Sequence, residues 1–396
     1  MNREDFPLLS KEFNGKKIVY FDSAATSLTP TPVVLAMQAY EEQYTANVHR
    51  GSSTLSQLAT DAFESGRSVI AEFLGAKTTE TIFTRNCTES LNLAAQLCCA
   101  QLQAGDEILC PVSEHHSNFV VWQQLAKKHN LTFTVMEVKA DGKITPELLT
   151  SYITEKTKVF TFAHVSNVLG VVQPVKELAR IAKQKGITVV VDGAQGIVHE
   201  KIDVKDLGVD YYAFSAHKLF GPTGLGILYG KEELLAAGTP LTYGGEMIAT
   251  VTKEHTTWNE LPWKYEAGTP AIAQVIGTAA AVLYVQDHHD YSYLKELTAY
   301  TRKQLETIDT LTLYGTDEEK TSVFSFTIEG VHASDLAHLL NAKGFQLREG
   351  HLCAQPLLKE FGIASFARIS LLSYNTTEEV DNFITALKET VQTLRG

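Results

Sequence analysis

The sequence has no apolar run long enough to cross a bilayer. Its longest, within residues 275–285, is about half of the roughly 20 residues that a spanning helix needs. A helical membrane protein is therefore not expected. It is short of positive charge: 34 Lys and Arg stand against 46 Asp and Glu, and the formal net charge of -12 argues against nonspecific nucleic-acid binding. Only five cysteines are present, Cys87, Cys98, Cys99, Cys110 and Cys353. They are odd in number and form no C-x-x-C pair or zinc spacing, so neither a disulfide framework nor a metal site is expected. The first six residues lack the basic and apolar stretches of a signal peptide. No internal repeat or low-complexity linker stands out. These absences together predict a cytoplasmic protein with reduced thiols, bound to neither membrane nor nucleic acid. What remains is ordinary for a globular protein: 396 residues, 44% hydrophobic and 20% charged, enough for a large core and two domains.

From residue 81 onward, strand and helix alternate. Strands are expected at 81–85, 106–112, 131–138, 158–163, 188–192, 209–214 and 226–229. Helical spacing falls at 88–101, 119–128 and 175–185, the last ending at Gly186, a suitable C-cap. Such alternation implies an α/β fold with a mainly parallel sheet of seven strands, covered by helices on both faces. Ligands of such sheets bind beyond the carboxyl ends of the strands. After Pro270 the pattern changes. A long apolar helix at 271–286 precedes strands at 322–328, 345–348 and 366–372 and helices at 333–343 and 377–394. This predicts a large domain at 16–270 and a smaller α+β domain at 271–396, with residues 1–15 packing on the latter.

Lys218 is the most telling residue. It follows an apolar strand, in the run Phe214-Ser215-Ala216-His217-Lys218, and precedes Gly221-Pro222-Thr223-Gly224. A lysine at a buried strand end either snorkels to the surface or acts as an amine whose pKa burial has lowered. The strand 188–192 ends in Asp192, with Gln195 three residues on. A carboxylate there can simply cap a helix. Alternatively, a lysine for an aldehyde and an aspartate for a pyridinium nitrogen are what pyridoxal phosphate (PLP) requires. Ser215 and His217 could then donate to its phosphate.

Four further clusters bear on the chemistry. Asn86-Cys87-Thr88-Glu89 joins a strand to a helix, where unpaired N–H groups favour a phosphate; an ordinary helix cap fits equally well. In Ser113-Glu114-His115-His116 no third metal ligand stands nearby, which leaves a ring-stacking imidazole or an exposed pair. Cys353 sits in the loop Arg348-Glu349-Gly350-His351-Leu352-Cys353-Ala354-Gln355-Pro356, where Arg348 and His351 favour a thiolate, although most free cysteines are buried apolar residues. Arg368 is either an ordinary ion-pair partner or a clamp for a substrate carboxylate. Cys98, Cys99 and Cys110 read as core.

Taken together, the motifs resemble the class V aminotransferase-like PLP enzymes and, within them, the cysteine desulfurases of the Suf/Csd group. Matching stretches run from Tyr20-Phe21-Asp22-Ser23-Ala24-Ala25-Thr26 and Asn47-Val48-His49-Arg50-Gly51, through His164-Val165-Ser166-Asn167 and Val191-Asp192-Gly193-Ala194-Gln195, to His217-Lys218, Glu266-Ala267-Gly268-Thr269-Pro270 and Cys353-Ala354-Gln355-Pro356. The short loop around Cys353 is similar to the Suf/Csd group rather than the Isc/Nif group. The resemblance implies that Lys218 attaches PLP covalently and shuttles protons, while Asp192 and Gln195 tune its ring. His115 would stack on the ring, and Asn167 would contact its oxygen or the substrate. Thr88, Ser215 and His217 would hold the phosphate, with Thr269 of the partner subunit. Arg368, Ala25 and the partner subunit's Arg50 would bind the substrate, with Arg348 and His351 beside Cys353. Cys353 would take the sulfur of L-cysteine as a persulfide.

The implied protein is a homodimeric transferase that passes sulfur to a Suf/Csd-type acceptor protein for iron-sulfur cluster assembly or other sulfur transfer. Selenocysteine lyase or cysteine sulfinate desulfinase activity is the alternative within the family, and a mainly partner-dependent sulfur carrier the alternative outside it. Three departures stand out. Asn86-Cys87 replaces a common Gly-Thr, Leu352 replaces a histidine, and Ala216 replaces a glycine. The first would remove a phosphate-facing hydroxyl and set a thiol near the cofactor.

Overall fold

The computed structural model describes residues 1–316 and 318–396. Seven strands form the main sheet, in the spatial order Thr81–Thr84, Gly226–Gly230, Tyr211–Ser215, Thr188–Asp192, Thr157–Ala163, Glu107–Pro111 and Thr132–Met136. Only Gly226–Gly230 runs against its two neighbours. All other pairs are parallel. The mainly parallel sheet expected from the sequence is thus the one formed. Its strands are apolar on both faces because both faces are covered. Along Thr188–Asp192, Val189 and Val191 enter one core and Val190 the other, as a period of two requires. Tyr212 and Phe214 alternate with Tyr211 and Ala213 in the same way.

The helices Cys87–Cys99 and His116–His129 cover one face. Thr54–Leu74, Val175–Gln184 and Ile272–His288 cover the other. Gly186 has a φ of +69° just past the Val175–Gln184 helix, a backbone turn that glycine adopts without a Cβ clash.

The smaller lobe holds an antiparallel sheet in the order Leu311–Tyr314, Val323–Ile328, Phe366–Ser370, Arg348–Gly350. Tyr291–Leu305, Ala333–Ala342 and Thr377–Arg395 pack on it. The last begins with a capping box in which Thr376 and Glu379 satisfy each other's backbone. The strand expected at 345–348 is two short ones. Phe345–Gln346 pairs in parallel with Val19–Tyr20, and Arg348–Gly350 pairs with Phe366–Ser370.

Where the lobes divide is set by core membership. Helix Ile272–His288 puts Val275, Val282 and Val285 into the core of the large sheet, against Thr31–Gln43 and Thr54–Leu74. Phe6 packs on Phe220, Tyr284 and Tyr374, bridging both lobes. We therefore propose a division near residue 290 instead of 271, with the strand Val19–Tyr20 counted in the smaller lobe.

Candidate active site

The carboxyl ends of the sheet open onto a cavity of about 400 Å³, within the usual range for a small-molecule site. Its lining comes from eight segments far apart in sequence. The turn after Thr81–Thr84 brings Asn86, Cys87 and Thr88; the helix start after Glu107–Pro111 brings His115 and Ser117; the strand ends bring Asp192, Ser215 and Lys218. The smaller lobe adds Arg348, Leu352, Cys353 and Arg368. The reversal at Gly226–Gly230 lets the chain double back beside the Lys218 turn. A Cβ at Gly226 would lie 2.3 Å from the Asn86 carbonyl carbon, so only glycine lets that strand press against the 86–88 turn.

Lys218 ends the short turn Ala216–Lys218 and faces the cavity. Its Nζ makes no hydrogen bond or ion pair among the described residues. Desolvation pushes its pKa below the usual lysine value, against an upward pull from Asp192 and Cys87. Asp192 is buried, and Oδ1 accepts from Ala194 N at 2.9 Å and from Cys87 Sγ at 3.5 Å. Burial raises the Asp192 pKa, against downward pulls from the Ala194 amide and from Lys218. Burial also pushes the Cys87 thiol up, so it stays protonated and donates. The thiol at position 87 turns toward Asp192, while Cys87 N donates to Ser215 Oγ at 2.7 Å.

His115 caps the helix His116–His129, its Nδ1 accepting from Ser117 N at 3.1 Å. The ring proton therefore belongs on Nε2. Desolvation, with Lys218, His116 and Arg368 nearby, lowers its pKa to about 3. Ser117 Oγ and Thr88 Oγ1 lie 2.7 Å apart. Beneath them Glu114 is buried, accepting from Asn118 Nδ2 at 2.6 Å and Ala163 N at 3.0 Å; burial raises its pKa to about 8.

Arg368 is 3% exposed. Its Nη1 donates to Asn167 O and its Nη2 to Asp22 Oδ1, both at 3.0 Å. Its Nε is buried without a hydrogen-bond partner among the described residues. A buried, unpaired guanidinium donor is costly, and an incoming carboxylate would satisfy it. Asp22 also pairs with the exposed Arg348 at 3.0 Å.

Cys353 is the one exposed cysteine, on a loop from the smaller lobe. Asn167 Nδ2 donates to Leu352 O at 2.8 Å, and His116 N donates to Cys353 O at 2.7 Å. Leu352, which stands where the resembled group commonly has a histidine, is buried in the main core. Gln195 Nε2 donates to Ala24 O at 2.7 Å, and His217 Nδ1 lies 3.1 Å from Thr26 Oγ1.

The cavity thus gathers Lys218, Cys353, His115, Thr88, Asn167, Asp192, Gln195, Ser215, His217, Arg368, Ala25 and Arg348. Three expected residues are not in its lining. His351 is exposed beside it. Arg50 is exposed and pairs with Glu246 at 3.2 Å. Thr269 lines a separate groove on the outer side of the 86–88 turn. That segment is braced by Arg67, fully buried, whose Nη1 and Nη2 donate to Glu266 at 2.7 and 2.8 Å. Sequence reasoning did not find Asp22 or the contacts of His116; only the pairing of two histidines hinted at the second.

The residues present fit PLP. They offer a lysine without a partner, a buried carboxylate without a cation, a helix start with hydroxyls around it, and glycine where the backbone must come close. Fold and site define a class: PLP enzymes with a lysine and an aspartate on adjacent strand ends. The aminotransferase class-V family matches residues 19–383. A probable cysteine desulfurase of Halalkalibacterium halodurans is 45% identical over 97% of this chain and 96% of its own. The crystal structure of Escherichia coli cysteine desulfurase CsdA is 37% identical, with a TM-score of 0.91, covering 99% of this chain and 98% of its own. An apo cysteine desulfurase from Thermococcus onnurineus is 38% identical, with a TM-score of 0.94, covering 99% and 97%. The chain belongs to the aminotransferase class-V family, and to its cysteine desulfurase branch.

Proposed function

We propose that the chain is a PLP-dependent cysteine desulfurase, taking L-cysteine to L-alanine and leaving the sulfur as a persulfide on Cys353. The observation that carries this reading is one cavity with a lysine–aspartate floor and an exposed cysteine at its mouth, joined by an arginine whose Nε lacks a partner.

When bound, PLP supplies an electron sink for charge developing at the substrate Cα. Asp192 would hold the ring nitrogen protonated, and that cation would reverse the upward push on the Asp192 carboxyl. Thr88, Ser215 and His217 would hold the phosphate, and Gln195 and Asn167 the ring's edge. His115, kept neutral, would stack on the ring. Arg368 Nε would take the substrate carboxylate, with Ala25 alongside. Lys218 would move the Cα proton, since desolvation favours its neutral amine. Cys353 would attack the substrate sulfur: an S–S bond forms, the Cβ–S bond breaks, and the two thiol hydrogens end as one on the persulfide and one on the alanine methyl group.

An exposed Cys353 favours cysteine over selenocysteine or cysteine sulfinate, whose turnover does not need it at the mouth. The same exposure supports delivery to a Suf/Csd-type sulfur acceptor, for iron-sulfur cluster assembly or other sulfur transfer, in the cytoplasm. No helix among the described residues is long and apolar enough to cross a membrane. The remote Arg50 and Thr269 support a homodimer in which each subunit completes its neighbour's site. The test is a pulse of L-cysteine on the purified, PLP-loaded protein. Alanine should appear with a sulfur added to Cys353 by mass spectrometry; a persulfide on Cys87 with none on Cys353 overturns the assignment.

A further inference from the structure

His116 has no part in the chemistry above, yet it holds the loop that does. It is the first residue of helix His116–His129. Its backbone N–H donates to Cys353 O at 2.7 Å, and its ring Nε2 accepts from Gln355 N at 3.1 Å. One residue thus grips the loop on both sides of Ala354. Immediately before, Leu352 and Cys353 have φ angles of +51° and +55°. Two successive non-glycine residues in the left-handed region are disfavoured, and such backbone persists only where surroundings over-determine it. Asn167 fixes the Leu352 carbonyl from one side. His116 fixes the Cys353 carbonyl and the Gln355 amide from the other.

We infer that His116 is a positioning residue, whose ring clamps the Gln355 amide so that the strained turn presents Cys353 to the cavity. The inference rests on Cys353 being the sulfur acceptor. The backbone half of the grip survives substitution of His116 by alanine or glutamine, whereas the ring half needs an acceptor at that position. It also requires Nε2 to be unprotonated. The groups facing the ring are His115, which caps its helix, and His351 and Gln355 on the loop. Burial and His351 lower the His116 pKa, so the clamp is complete at neutral pH and is lost as pH falls below the ordinary histidine range.

The test compares His116→Ala and His116→Gln in the PLP-loaded enzyme, since a glutamine oxygen can still accept from Gln355. In His116→Ala, amide exchange at Gln355 should accelerate, and kcat for L-cysteine should fall about tenfold with KM nearly unchanged, as expected for a misplaced reacting group. His116→Gln should restore most of both. In the unmodified protein, protection of the Gln355 amide, corrected for intrinsic exchange, should weaken as pH falls below the ordinary histidine range. Unchanged exchange in His116→Ala, or equal kcat in the two variants, overturns the clamp. Persisting cysteine desulfuration in Cys353→Ser would instead overturn the acceptor reading, on a different protein and a different readout.

Discussion

Two cysteines line one cavity, and their surroundings are opposite. Cys87 lies on the floor, buried, its thiol spent on the Asp192 carboxylate and its pKa raised by desolvation. Cys353 lies at the mouth, exposed, on backbone bent into the left-handed region. The floor is made of strand ends in a sheet covered on both faces. The mouth is a loop from another lobe, held by contacts from Asn167 and His116. The difference separates two tasks. A cofactor must be kept in fixed register, so its partners stand on rigid elements. In the proposed mechanism a persulfide must be handed on, and Cys353 stands where another molecule can reach it.

The sharpest way to break this division is at the floor. Lys218→Ala should leave no borohydride-reducible lysine adduct with PLP and should lower turnover by about a thousandfold or more. An adduct on another lysine would refute the assignment.

At the mouth, Cys353→Ser should bind PLP normally, by its visible absorbance, and yet form no persulfide from L-cysteine. Normal alanine production by this variant would erase the contrast between the two thiols.

Asp192→Ala should cut kcat by roughly a hundredfold, because a charge that must be balanced as the reaction proceeds loses its partner. Steady-state kinetics with a thermal melt separates this loss from unfolding.

A subtler effect concerns Glu114 beneath the floor. Its folded pKa, about 8, stands above the unfolded carboxylate value. Its contribution is therefore complete at acidic pH and is lost as pH rises from the unfolded value through about 8. Melting temperatures of Glu114→Gln should fall less steeply over that window than those of the unmodified protein; parallel curves would show that Glu114 is not the group titrating.

The smallest effect should come from Cys87→Ser, with activity within about threefold of the parent, since a hydroxyl can donate to Asp192 as the thiol does. A large loss would mean that the floor thiol does more than support that carboxylate.

Most of the sheet was legible because its strands carry strong local signals, such as Thr188-Val189-Val190-Val191 ending in Asp192. The helices Thr31–Gln43 and Thr54–Leu74 were not, since the strand–helix rhythm begins only at Thr81. Helix Ile272–His288 misled in another way. Its apolar composition suggested a new domain, while its valines are buried in the large sheet's own core, the ground for the later division proposed above. Within the site, residue types at strand ends drew attention to Lys218 and Asp192. The direction of a side chain was out of reach: nothing in Asn86-Cys87-Thr88 says that the thiol turns to Asp192. Long-range pairs such as Asp22 with Arg368, or His116 with Gln355, join segments that only the packed lobes bring together.

The one reversed strand has a consequence for how the molecule is made. Strand Thr81–Thr84, which leads into the 86–88 turn, pairs among the described residues only with Gly226–Gly230. It therefore leaves the ribosome roughly 140 residues before its sole sheet partner, which at ordinary synthesis rates is on the order of ten seconds or more. During that interval Ile82 and Phe83 have no sheet to join. The 86–88 turn is assembled late, once the hairpin bearing Lys218 has been synthesised. With the proposed phosphate role of Thr88, loading of the cofactor is tied to a chain already committed to its fold.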